Sequence, residues 1–166
     1  TNVNNLTLNG SITLSAATSV FGNVTVQNSA TLNTGNLLTL KSNASGTASV
    51  GNSAGTISGN VTVERYIPNK RAWRALTAPL KGSTSDQSIF SQWQNDGNTI
   101  TGVGVELWGP GGTGSSGNGL AVGPSSSILQ YVSGAWSPVE NTKTTSLFTT
   151  SVNNAFMIFP TGGYGS

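Results

Sequence analysis

The sequence predicts an all-β protein: a short parallel β-helix (solenoid) followed by a β-sandwich or jelly-roll-like unit with at most one short helix. Three observations carry that expectation. Residues 1–67 are built from apolar–Thr–apolar triplets, the period-two mark of a half-buried strand. Between the triplets stand Asn-Gly, Gly-Asn, Thr-Gly and Ser-Gly pairs, which punctuate a chain that turns often. The character then changes across Gly59–Ala78, GNVTVERYIPNKRAWRALTA, after which the chain carries aromatic residues in alternating runs and no repeat. The predicted division is 1–67 for the repeat and 68–166 for the second unit.

The repeat can be read in order. Its triplets are Leu6-Thr7-Leu8, Ile12-Thr13-Leu14, Val24-Thr25-Val26, Leu38-Thr39-Leu40 and Val61-Thr62-Val63. Leu14, Leu32 and Val50 stand 18 residues apart, as do Leu6 and Val24, Leu8 and Val26, and Val20 and Leu38. A repeat of this length with two or three short strands per turn suits a parallel β-helix, each coil stacking its apolar residues on the next, with Gly and Asn at the corners. A series of antiparallel hairpins is the competing topology. The period slips after Val50, since Val61–Val63 is out of phase with it, so the last coil is expected to be irregular. Thr7, Thr13, Thr25, Thr39 and Thr62 do not fall into one column on an 18-residue period, so an ice-binding ladder is not expected and they read as ordinary β-surface threonines. Solenoid ends are sheet edges that invite pairing. Gly59–Ala78, with its charges, is the expected cap at one end. Thr1–Leu8 shows no cap, so further coils of a longer parent chain, or another copy, are expected to stack there.

In the second unit, a turn at Pro68–Asn69 leads to a strand at Arg71–Leu76, ended by Pro79. Ser85–Gln94 reads as one short helix, with Ser85 or Asp86 as N-cap and Ile89, Phe90 and Trp93 at helical spacing. Asn95–Asn98 is a turn. Val103–Trp108 reads as a strand, and Gly109–Pro124 as a Gly/Ser-rich loop long enough to be functional or mobile. Ile128–Val132, a Ser-Gly turn and Ala135–Val139 form a hairpin. Ala155–Phe159 is a continuous apolar run, expected as a central buried strand. The chain stops at Gly162–Ser166 just after it, which suggests a unit continued in a parent chain or completed by another chain.

Gly59–Ile67, Lys70–Pro79, Ser88–Gln94, Leu129–Val139 and Ala155–Phe159 together resemble a recurrent module of large secreted surface proteins and adhesins of Bacteroidota, exported by the type IX secretion system. In that module a β-helical repeat ending in GNVTVERYI runs into a KRAWRxLTAP strand. The resemblance implies an extracellular, cell-surface setting, a continuation beyond the last strand and a C-terminal sorting domain. It brings no enzyme motif.

Composition narrows the function classes. Charged residues make up 7% of the chain, against roughly 25% in ordinary soluble domains. The β-branched bursts argue against disorder at this low net charge. A net charge of +2 is too small and too local to imply a nucleic-acid partner, and no apolar run is long enough for a membrane helix. There is no Cys and no His, which removes disulfides, thiolate chemistry, Ser-His-Asp triads and most zinc sites. The five carboxylates, Glu64, Asp86, Asp96, Glu106 and Glu140, show no spacing that suggests a glycosidase pair. Asp96-Gly97-Asn98 reads as a turn rather than a calcium loop, and the Gly109–Gly119 run lacks a P-loop's Lys-Ser/Thr. The Asn-X-Ser/Thr sequons at Asn5, Asn9, Asn23, Asn43 and Asn60 read as corner asparagines. No catalytic residue, metal or cofactor is expected.

Two groups remain as candidate ligand sites. Arg65, Tyr66, Lys70, Arg71, Trp73 and Arg74 form a basic–aromatic cluster that suits acidic glycans or phosphate. The structural alternative pairs these cations with Glu64, Asp86 or Glu106 and packs Trp73 between the two units. Trp93, Trp108, Tyr131 and Trp136 suit sugar stacking if exposed and coplanar, and the core otherwise. The sequence therefore points to a non-enzymatic extracellular module of an adhesin or self-assembling filament, cohering with its own copies or with neighbouring modules by β-stacking and strand addition. A carbohydrate-binding module anchoring a larger protein to surface polysaccharide is the alternative.

Overall fold

The computed structural model describes residues 1–68, 70–79, 87–97, 104–148 and 154–160. Asn69, the N-cap candidates Ser85 and Asp86, Asn98, Val103 and the tail at Gly162–Ser166 lie outside these. The protein is all-β, with one four-residue helix and one 3₁₀ turn among the described residues. It divides into two compact units, Thr1–Pro68 and Asn69–Ser166.

In the first unit the chain visits three parallel ladders in rotation. A first circuit gives β1 (Asn2–Val3), β2 (Leu6–Leu8) and β3 (Ile12–Thr13). A second gives β4 (Thr18–Val20), β5 (Asn23–Val26) and β6 (Thr31–Asn33). A third gives β7 (Leu38–Leu40), a small hairpin of β8 (Ser42–Asn43) and β9 (Gly46–Thr47), then β10 (Ser49–Val50) and β11 (Thr56–Ser58). β12 (Val61–Val63) follows. The ladders run β1-β4-β7-β12, β10-β5-β2 and β11-β6-β3, every pairing parallel.

The register corrects the constant 18-residue period. Leu6 pairs with Val24 and Leu8 with Val26, as expected. Elsewhere the step changes: Val3 pairs with Val20, Val20 with Leu40 rather than Leu38, and Leu40 with Val63. Leu32 pairs with Ile12 and Ile57, while Val50 pairs with Val24. Val61–Val63, out of phase with the 18-residue period as expected, nevertheless stacks on Leu38–Leu40 by a longer step. Register follows the matching of inward apolar residues, and the corners absorb the difference in length; the hairpin at Ser42–Thr47 is one such insertion. The five threonines fall on three ladders, Thr7 beside Thr25, Thr39 beside Thr62, and Thr13 beside Asn33.

Corner side chains explain the Asn- and Ser-rich composition. The Asn5 Oδ1 accepts the Asn23 N–H at 2.8 Å, the Ser11 Oγ that of Thr31 at 2.9 Å, the Asn36 Oδ1 that of Asn60 at 3.0 Å and the Ser42 Oγ that of Tyr66 at 2.9 Å. Each is a backbone donor of a later circuit satisfied by a side chain of an earlier one. The core between the ladders is aliphatic: Leu8, Val20, Val24, Val26, Leu32, Leu38 and Leu40, with Ala30 and Ala48.

The second unit centres on a four-stranded antiparallel sheet. Its elements are β13 (Arg74–Thr77), α1 (Ile89–Gln92), the 3₁₀ turn Asn95–Gly97, β14 (Trp108–Gly109), β15 (Ala121–Val122), β16 (Ile128–Val132), β17 (Ala135–Pro138) and β18 (Ala155–Ile158). The sheet order is β13-β18-β16-β17, so the apolar run at 155–158 is central as expected. β14 and β15 form a separate parallel pair. The helix begins later than expected, and Ser88 is its N-cap, the Ser88 Oγ accepting the Ser91 N–H at 3.1 Å. Of the strand expected over Val103–Trp108, only Trp108 lies in a strand among the described residues, in Trp108–Gly109. Val105 donates its N–H to Trp93 and the Leu107 carbonyl accepts from Ala121, so these groups serve two different segments rather than one ladder.

The sheet has a buried and an open face. Arg74, Ile158 and Ile128 share one side with Leu76, Phe156 and Gln130. Ile128, Phe156 and Ile158 are fully buried there, and Trp93 meets Phe156 edge-on at 5.4 Å.

Candidate functional site: an aromatic sheet face

The other side of that sheet carries the candidate site. Ala75, Met157, Leu129 and Pro138 form one row across all four strands. Two residues along β16 and β17, Tyr131 stands opposite Trp136. Strand alternation places Phe159, one residue past β18, on the same side as Met157; its N–H donates to the Ser127 carbonyl at 2.8 Å, extending the pairing. Trp73 closes on Phe159 with ring centroids 5.6 Å apart.

Two aromatic pairs therefore sit on one face, and both are open. Trp73 is 44% exposed, Tyr131 50% and Trp136 42%. The rings are not coplanar, as a flat sugar platform would need: Trp73 and Phe159 are inclined at 58°, Tyr131 and Trp136 at 60°. Each pair is a notch offering a ring face and a ring edge. The hairpin holds its pair through a turn with positive φ at Ser133 and Gly134, the handedness that matches strand twist.

Beside the Trp73 pair lies a cleft of about 230 Å³ lined by Trp73, Trp108, Phe159, Pro124 and the serines at 125–127. Trp108 is fixed there from both sides of its peptide: its N–H donates to the Ser127 Oγ at 2.7 Å and its carbonyl accepts the Ser127 N–H at 2.9 Å. A Cβ on Gly123 would stand 2.8 Å from the Trp108 Cβ, so this close approach needs glycine.

The candidates are thus sorted. Trp73 and Trp108 meet in one cleft, and Tyr131 and Trp136 form a pair. Arg65 and Tyr66, both exposed, belong to the first unit, while Arg71, exposed, and Arg74, half-buried, belong to the second. Arg74 shares the Ile158 side of the sheet, opposite Trp73. Trp73 packs on Phe159 within its own unit. Glu64, expected to pair with the cluster, is instead bound by Lys41 Nζ. Lys143 lies over the Phe90 ring at 4.8 Å.

Phe159 and Met157 were missed because a continuous apolar run conceals which residues face which way. Counting alternate positions from Phe156 is the signal that finds them.

Among the described residues no cluster of three or more Asp or Glu side chains is placed to hold a metal ion, and no helix is long and apolar enough to cross a membrane. Comparison of the chain with protein-family models, with curated proteins and with solved structures gives no match.

Proposed function

We propose that the chain is a non-enzymatic structural module of an extracellular, cell-surface adhesin or self-assembling filament, its first unit acting as a short β-helix that coheres by stacking circuit on circuit. One observation carries this reading: burial is complete in the middle of the ladders and falls off at several end-strand residues, although Leu8 on β2 stays buried. Val20, Val24, Val26 and Leu32 of the second circuit are fully buried. Ile12 of the first circuit is 41% exposed and Val50 of the third 48%. Val61 and Val63 of β12 are only partly buried.

The apolar columns therefore run out to both ends of the ladders without finishing. Among the described residues the outermost strands, β1, β2 and β3 at one end and β10, β11 and β12 at the other, have a ladder partner on one side only. Such edges gain main-chain hydrogen bonds and apolar burial from an added strand layer. The occupant is a neighbouring module of a longer chain or another copy, and the resemblance to type IX-secreted Bacteroidota surface proteins supports that setting.

The test is sedimentation velocity over a wide concentration range, with negative-stain electron microscopy of the concentrated sample. Growing end-to-end oligomers that disappear in Ile12→Asp are the expected result. A chain that stays monomeric throughout, and shows no ordered particles, overturns assembly through copies of itself. A longer parent chain whose added circuits leave Ile12 and Val50 exposed overturns the stacking reading altogether.

A further inference from the structure

The open face of the second unit's sheet supports an inference that goes beyond stacking and stands without it. We propose that this face, from the Trp73–Phe159–Trp108 cleft to the Tyr131–Trp136 pair, binds an acidic polysaccharide of the polyuronate class.

The first argument is geometric. Trp73–Phe159 lies across β13 and β18, and Tyr131–Trp136 across β16 and β17. Phe159 is four residues along β18 from Ala155, whose level continues to Tyr131 in the register that pairs Gln130 with Phe156. With strands ~4.8 Å apart and a rise of ~3.3 Å per residue, the two pairs are separated diagonally by about 16 Å. That span suits an extended oligosaccharide with a contact at each end and the Met157–Leu129 row beneath its middle.

The second argument is chemical. The two notches are aromatic and open, with Trp73, Tyr131 and Trp136 all exposed. Aromatic faces take up the C–H faces of pyranose rings while leaving hydroxyls in water. Within each pair the rings are inclined at 58° and 60°, so each notch offers one ring face to a sugar and closes over it with a ring edge.

The third argument is charge. Lys70 and Arg71 are exposed, three and two residues before Trp73, and make no ion pair among the described residues. The carboxylates described in this unit, Asp96, Glu106 and Glu140, lie on the 3₁₀ turn and on loops outside the four-stranded sheet. The cations therefore favour a ligand with carboxylates spaced along it, which Arg binds in bidentate fashion.

The test is affinity electrophoresis of the whole chain through gels containing polygalacturonate, alginate or a neutral β-glucan. Retardation by a polyuronate, weakened by salt and by Lys70→Gln/Arg71→Gln, is the expected result. Trp136→Ala and Trp73→Ala should each weaken retention about tenfold, the loss of roughly one stacked ring. Circular dichroism melts separate lost binding from lost folding, and the exposed Lys70/Arg71 variant keeps the test valid if an aromatic variant unfolds. Equal retention by the neutral glucan, no retention by any polymer, or retention unchanged in all three variants overturns the proposal. So does self-association that Trp136→Ala abolishes without any glycan retention, which assigns the face to a second copy.

Discussion

Asn118 reaches out of its glycine-rich loop to Glu140, the Asn118 Nδ2 donating to the Glu140 carbonyl oxygen at 2.8 Å. The same nitrogen donates to the Gly111 carbonyl at 2.8 Å. The Oδ1 accepts from the Thr113 N–H, the Thr113 hydroxyl and the Leu120 N–H. One side chain thus closes the loop on itself and ties it to the segment after β17. Asn118→Ala is expected to cost about 1–3 kcal/mol, since several solvent-accessible hydrogen bonds are lost together. Asn118→Asp keeps the acceptor and loses both donors, so it should fall between. Urea denaturation gives the cost, and hydrogen exchange at residues 111–120 should rise in both variants.

Position in the stack should decide the cost of truncating the first unit's core. Leu32 is fully buried between Ile12 and Ile57. Leu32→Ala is expected to cost about 3–5 kcal/mol, enough to unfold so small a unit. Ile12→Ala, at an open end, should cost less than about 1.5 kcal/mol. Thermal melts of the two variants side by side check the ordering.

Gly55 marks a corner where two segments touch. A Cβ there would meet the Gln27 carbonyl oxygen at 2.4 Å and the Ala30 carbonyl oxygen at 2.5 Å. Both atoms belong to backbone that must move to make room. Gly55→Ala is expected to destabilise by about 1–3 kcal/mol, although alanine in open backbone would normally stabilise. Gly46, with nothing within 4 Å of its Cβ position, is the matched control and should change little on the same substitution. Chemical denaturation of both variants measures the contrast.

Lys41 and Glu64 join neighbouring strands of the first ladder, yet both side chains are about a third exposed, at 32% and 37%. Glu64→Gln should therefore cost less than about 1 kcal/mol, with the loss shrinking as salt is added. Phe156→Ala is expected to behave very differently: it removes a fully buried ring that meets Trp93, at a cost of about 3–5 kcal/mol. Denaturation at low and high salt separates the two kinds of contribution.

What could be read in the sequence was whatever depends on local chemistry. The hairpin from Ile128 to Val139 was legible because Ser133-Gly134 supplies the positive-φ turn that sets its register. The triplets marked strands because alternation is a backbone property. Register between circuits was legible for Leu6–Val24 and Leu8–Val26 and not elsewhere, since corners of unequal length, including the hairpin at Ser42–Thr47, shift the count while still letting apolar residues meet apolar ones. The helix start moved to Ser88 because that residue both caps the helix and bridges to Ser146, a contact between distant segments. In the candidate site the exposed aromatics were legible as residue types, whereas their pairing with Phe159 depends on a sheet order that only the folded chain reveals. The basic cluster read as one group because its residues are close in sequence; strand alternation puts Arg74 on the side of the sheet opposite Trp73.

The parallel ladders also have a mechanical consequence. Their hydrogen bonds point along the direction in which circuits stack, so tension applied along that direction loads the rungs one after another instead of all at once. Under such tension the ladders would open one circuit at a time. The corner bonds from Asn5, Ser11, Asn36 and Ser42 act as catches that each circuit must free before the next gives way.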